Sequence, residues 1–206
     1  MNDSEKPGTR RLALAAGCVA LGSAASMATY SVAGGPFGAL NDVGNATLAA
    51  LAGALAWRLR DRLPRRAAGL AVGCAVAGTA IAVTGSGLVI SGSTGWFLAA
   101  LVSTFGYAGI GAWLIVLNRS SDTDAWPRRL RALGVTAGAL LLLGVVAAPG
   151  IVRGLDDSTT APGWAWFSMT AWLGIYVVFP AWAISLARLA SSDRRLSRAP
   201  SQAAGA

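Results

Sequence analysis

Apolar runs of roughly twenty residues alternate along this chain with short clusters of arginine, and this pattern is the first guide to its fold. At about 1.5 Å per residue, a helix of about twenty residues crosses roughly 30 Å of hydrocarbon. Six helices are predicted, approximately over residues 12–33, 38–57, 67–90, 95–117, 132–148 and 164–186. Barrel strands need only about ten residues with alternating polarity, a pattern these runs lack. The expected fold is all-α: a polytopic membrane protein forming a six-transmembrane-helix bundle. Residues 10–190 make up the membrane domain, 1–9 a cytoplasmic tail and 191–206 a flexible cytoplasmic tail.

The second run carries the most information. Only eleven residues, Thr47 to Trp57, are continuously apolar, too few to cross. A spanning helix must therefore begin upstream, and it then carries Asn41, Asp42 and Asn45 inside the membrane. Gly34 and Gly35 suit a tight turn before it, Pro36 suits its first turn, and Asp42 near its start meets the favourable end of the helix dipole. Further along, Pro149-Gly150 is expected to end the fifth helix, and Pro180 to kink the sixth by freeing a backbone carbonyl. Arg10-Arg11 and the Ala15–Cys18 stretch resemble secretion signals, but the apolar run continues beyond any cleavage point and is long enough to span.

Arginine placement sets the expected orientation. The N-terminal tail, the loops after the second and fourth helices and the C-terminal tail hold sixteen of the seventeen Lys and Arg residues, and Arg153 alone lies in another loop. Short loops rich in these residues stay cytoplasmic, so both termini are expected inside. Trp96, Trp164 and Trp166 then mark the outer interface, and Trp57 and Trp126 the inner one.

Composition agrees. The chain is 54% apolar and 13% charged with a mean hydropathy of +0.55, whereas soluble domains carry about a quarter charged residues. The net charge of +8 is accounted for by the membrane flanks, so no nucleic-acid partner is expected. One lysine against sixteen arginines, with abundant Ala and Gly, fits a GC-rich bacterial genome and hence the bacterial cytoplasmic membrane. Histidine is absent, and Cys18 and Cys74 lie apart within apolar runs, so no metal site, cofactor or disulfide framework is expected.

Internal echoes suggest three tandem helical hairpins. Gly17-Cys18-x3-Gly22 matches Gly73-Cys74-x3-Gly78 at an offset of 56; AWLIVLNR, Ala112 to Arg119, matches AWAISLAR, Ala181 to Arg188, at an offset of 69, with Tyr107 and Tyr176 in register. Such repeats occur in transporters, with sites between the units. Small residues four apart, as in Gly22/Ser26, Gly69/Gly73 and Gly134/Gly138, favour close helix packing within the chain or in a homo-oligomer.

Asp42 is the leading site candidate. An ionised carboxylate costs about 2.5–3.5 kcal/mol at mid-membrane and less near the interface, so a compensating group is expected. Asn41 and Asn45 lie on the adjoining helical surface. Arg153 is the one cation expected at that end, and an Asp42–Arg153 contact follows as a specific expectation. The sequons at Asn45 and Asn118 are set aside, the first as intramembrane and the second as cytoplasmic. The expected role is handling a small solute or ion at an outward-facing polar site. The alternatives are a non-catalytic membrane assembly partner and an intramembrane enzyme using Asp42 as acid on a lipid-soluble substrate. The enzyme reading lacks the second positioned group that acid–base work needs.

Overall fold

The computed structural model describes residues 6–120 and 126–198. The expected tail residues 1–5 and 199–206 lie outside the described residues, as does the stretch 121–125 of the second basic loop. The described residues are helical with short connections and contain no strand. Helix α1 spans Lys6–Ala33, α2 Phe37–Arg58, α3 Arg65–Ile90, α4 Trp96–Arg119 and α5 Arg128–Leu142. A 3-10 segment, Leu143–Ala147, joins α5 to the short α6, Ala148–Val152. The last run begins with α7, Gly163–Ser168, and α8, Ala171–Leu173; a π turn, Gly174–Val178, leads into α9, Phe179–Arg198. Five helical stretches are long and apolar enough to cross a membrane: Pro7–Ala33, Arg65–Ile90, Trp96–Arg119, Arg128–Val152 and Gly163–Ser191.

Proline sets several helix starts. Pro36, Pro64, Pro127 and Pro162 immediately precede α2, α3, α5 and α7. Having no N–H to satisfy, proline leaves the helix start uncompromised, and its carbonyl accepts from the N–H four residues on, as in Ala68 to Pro64 at 2.9 Å and Leu40 to Pro36 at 3.1 Å. Gly34 and Gly35 turn the chain from α1 into α2 with φ of 63° and 68°, a region open to glycine at little cost.

Three sequence expectations are corrected locally. The fifth run does not stop at Pro149; the 3-10 segment ends the first helix, and Pro149 falls in the opening turn of α6, where its missing N–H costs nothing. Helix α1 begins at Lys6 and α9 continues to Arg198, so helix extends into both expected tails. Asp42 lies beyond the first turn of α2, where the helix dipole is weak.

Each long helix packs on the next in sequence, and α9 closes the arrangement against α1 and α5. In lipid no hydrophobic force drives helices together, so close backbone approach takes its place. It is tightest between α3 and α4, where a Cβ on Gly78 would collide with the Gly106 carbonyl and one on Gly109 with the Cys74 carbonyl. Gly134 and Gly138 serve α5 likewise against α4. Gly22, Gly69 and Gly73, by contrast, face open space, so these positions of α1 and α3 meet no described residue of the chain.

Side chains lock the two ends. At the arginine-rich end, Ser120 Oγ donates to the Arg62 carbonyl at 2.9 Å and Arg131 Nε to the Asn118 carbonyl at 3.3 Å. The Arg60 guanidinium sits 4.4 Å over the Trp57 ring. At the opposite end, Asp156 accepts from the backbone N–H groups of Gly95 at 2.6 Å and Leu98 at 3.2 Å, capping α4 from a distant loop. In that loop, the Thr159 hydroxyl and N–H hold the Asp157 carboxyl below the usual carboxylate range.

Candidate functional site

The polar residues of α2 reach the bundle interior because they share one face of the helix. Asn41 is buried and Asp42 and Asn45 are half-buried. Opposite them the last run leaves regular α-helix. Between Trp166 and Leu173 the N–H groups bond three residues back, as in Trp172 to Met169 at 3.0 Å, and the π turn at Gly174–Val178 follows. Pro180 lies just beyond, so the backbone irregularity and the missing N–H occur together. Irregular backbone at membrane depth is tolerated where protein or a cavity surrounds it.

This irregular stretch presents Tyr176 to α2. A phenol has one proton to give: the Tyr176 hydroxyl donates to Asn41 Oδ1 at 2.9 Å and accepts from Asn45 Nδ2 at 3.0 Å. The Tyr107 hydroxyl, on α4, donates to the Asn45 backbone carbonyl at 2.7 Å. Trp172 donates its indole N–H to Thr104 Oγ1 at 3.0 Å and meets the Tyr176 ring edge to face, with centroids 6.0 Å apart. Three helical runs are thereby tied together in the half of the bundle distant from the arginine clusters.

These groups line a cavity of about 450 Å³. Its rim lies at the arginine-poor end, where exposed Tyr30, Ile90 and Trp96 stand at or near the ends of α1, α3 and α4. Tyr107, Trp172 and Tyr176 line its deeper part. Met27, Ser86 and Ser103 also face it, so α1, α2, α3, α4 and the last helical run all contribute. Asp42 is the one acidic residue in this lining. Its carboxylate makes no hydrogen bond or ion pair to a described residue, whereas the neighbouring amides are engaged with Tyr176.

Of the sequence-level candidates, Asn41, Asp42 and Asn45 come together at the cavity. Arg153 does not. It caps the C-terminus of α6 with its side chain exposed, does not line the cavity and forms no ion pair with Asp42. Its position at the end of a short helix, before the positive-φ Gly154, directs the chain into the loop. The aromatic wall was not among the sequence-level candidates. One signal for it was present: the chain has only three tyrosines, all in or beside apolar runs, where a phenol needs a partner.

A second polar cluster occupies the arginine-rich half. Buried Asn118 accepts from Trp182 Nε1 at 3.2 Å and donates to the Leu114 carbonyl at 2.9 Å, beneath Gly134, where a Cβ would strike its amide. Every polar atom of that amide is drawn to protein, and its role is to join α4, α5 and α9. Among the described residues no group of three or more Cys, Asp or Glu side chains is gathered to hold a metal.

Comparison with protein-family models, with curated proteins and with solved structures finds no match to this chain.

Proposed function

We propose that this chain is a six-span protein of the bacterial cytoplasmic membrane, with both termini inside, that binds a small polar solute or cation at an outward-facing cavity centred on Asp42. The observation that carries this reading is an accessible cavity reaching a carboxylate that has no hydrogen-bond or ion-pair partner among the described residues, inside an apolar bundle. Leaving a charge uncompensated at such depth is costly, and such residues commonly mark substrate or ion pathways. For the sixth crossing, the support is that α2 has 22 residues, long enough to span, and packs between α1 and α3. Its three polar residues lower its hydropathy on the cavity side. For the orientation, the support is the segregation of arginine.

The test is a ligand-stability screen of the purified protein beside Asp42→Asn, which keeps shape and removes charge. Wild type is expected to be stabilised by a solute that leaves the variant unmoved; equal responses exclude Asp42. For topology, single cysteines at Ala33 and Asp61, in a background lacking Cys18 and Cys74, are expected to label from opposite sides of the membrane. Labelling from one side would mean that α2 does not cross.

A homo-oligomer built through α3 is a second reading, favoured by the open space beside Gly69 and Gly73. It is compatible with solute binding and would leave the cavity unchanged.

A further inference from the structure

We propose that the solute is an organic monocation, an alkyl- or arylammonium, whose charged head meets Asp42 and whose apolar body lies against the aromatic wall formed by Tyr30, Trp96, Trp172 and Tyr176. This rests on the cavity around Asp42 being a solute site, and it narrows the class of solute.

Charge comes first. The lining carries one carboxylate and no Lys or Arg, so a single positive charge balances it. An inorganic cation is a poor match because it needs several oxygen ligands to replace its water, about six to eight for calcium. Several oxygens of the lining already hold one protein hydrogen bond. Asn41 Oδ1 accepts from Tyr176, the Asn45 carbonyl from Tyr107, and Thr104 Oγ1 from Trp172, while Ser103 Oγ turns to the Ala82 carbonyl at 3.3 Å. What remains unengaged is the Asp42 carboxylate with Ser86 Oγ, short of the about six to eight oxygens that calcium takes. A weakly hydrated ammonium needs no such set of oxygens.

The rest of the wall suits the body of such a molecule. All three tyrosines of the chain and two of its eight tryptophans line this one cavity. The polar edges of Tyr107, Trp172 and Tyr176 are already tied to protein, so what these residues have left for a ligand is ring surface. Aromatic faces beside a carboxylate attract quaternary ammonium groups through the ring quadrupole. A space of about 450 Å³ lies in the range of small-molecule sites and accepts a benzyl or short alkyl group beside the ammonium.

The experiment is calorimetric titration of the full chain in maltoside, without choline-bearing lipid or detergent, using benzyltrimethylammonium and its neutral isostere neopentylbenzene. Potassium chloride is the inorganic control. Wild type is expected to bind the cation at least about 10-fold more tightly than the isostere, which corresponds to a factor of ten per 1.4 kcal/mol. Asp42→Asn is expected to abolish that preference. Trp172→Leu should weaken the cation at least about 5-fold and Trp172→Phe should largely retain it, with all variants judged folded by their elution profile. Equal binding of cation and isostere, or an Asp42→Asn variant that keeps the preference, overturns the organic-cation assignment and leaves a solute site standing. Potassium displacing the cation competitively at millimolar concentration also overturns it, in favour of an inorganic ion. Failure of folded wild type to bind any of the three probes overturns the assignment and counts against the solute site.

Discussion

The Tyr176 hydroxyl accepts a hydrogen bond from Asn45 Nδ2 at 3.0 Å, so the π turn of the last helical run is fastened to the polar face of α2. With Asn41 as the acceptor, this phenol satisfies two amides that apolar surroundings would otherwise leave unpaired. Tyr176→Phe is expected to lower stability in detergent by roughly 1–2 kcal/mol, the upper end of measured interhelical hydrogen bonds in membranes. The ring surface survives this change. The thermal midpoint should therefore fall while ligand selectivity persists, and an unchanged midpoint would show that the contact contributes nothing.

Trp113 and Trp182 occupy equivalent places in the two matching motifs, and their rings meet edge to face with centroids 6.0 Å apart. Both are fully buried, yet only Trp182 has an acceptor, Asn118 Oδ1. The Trp113 N–H has no partner among the described residues. Replacement by phenylalanine leaves a void in either case, but at Trp182 it also orphans the Asn118 carbonyl. Trp182→Phe is expected to destabilise by about 1 kcal/mol more than Trp113→Phe, because of the polar group left unsatisfied. Parallel thermal unfolding of the two variants measures the difference.

Asp156 reaches across the arginine-poor end to cap α4. Asp156→Ala is expected to cost about 1 kcal/mol, a typical loss for a helix cap, and Asp156→Asn less, since the amide oxygen still accepts. Thermal unfolding at low ionic strength gives the comparison. A larger loss for the Asn variant than for Ala would rule out capping as the role.

Gly134 and Gly69 separate packing inside the chain from packing between chains. A methyl group at Gly134 meets the Asn118 amide, and Gly134→Ala is expected to destabilise by about 1–3 kcal/mol through overpacking. Gly69 faces open space, so Gly69→Leu should leave the stability of a monomer near wild type. If α3 forms a homo-oligomer, the same change should shift the mass measured by light scattering toward the monomer. An unaltered mass would remove this face from consideration.

The helical architecture was readable because the bilayer imposes a length and a hydropathy on each span, and Leu, Ala, Val and Gly record both directly. The start of α2 was readable too, since the eleven apolar residues from Thr47 to Trp57 are too few for a spanning helix, which places Asn41, Asp42 and Asn45 within it. Contacts between distant residues were less accessible. Asp156 capping α4 joins groups 61 and 58 residues apart, and the loop that carries it gives no local sign of its target. Arg153 was matched to Asp42 by charge and by shared end of the bundle, but side-chain direction depends on how α6 meets its loop. Pro149 misled for a related reason: proline stops a regular helix, whereas a preceding 3-10 segment provides a new first turn for it. The aromatic wall emerges only when Tyr30, Tyr107 and Tyr176, on three separate runs, are folded around one space.

The walls of that space differ in stiffness. On one side α3 and α4 are interlocked through glycines, backbone on backbone, with no slack for one to slide past the other. On the other, the stretch from Met169 to Val178 has three-residue-back bonds and a π turn in place of regular α-helix, and is fastened to α4 and α2 through the side chains of Trp172 and Tyr176. Amide hydrogen exchange is therefore expected to run faster across 169–178 than across 78–109, with bound solute slowing the former. Such a contrast would mark the last run as the yielding wall of the cavity and the α3–α4 pair as its fixed one.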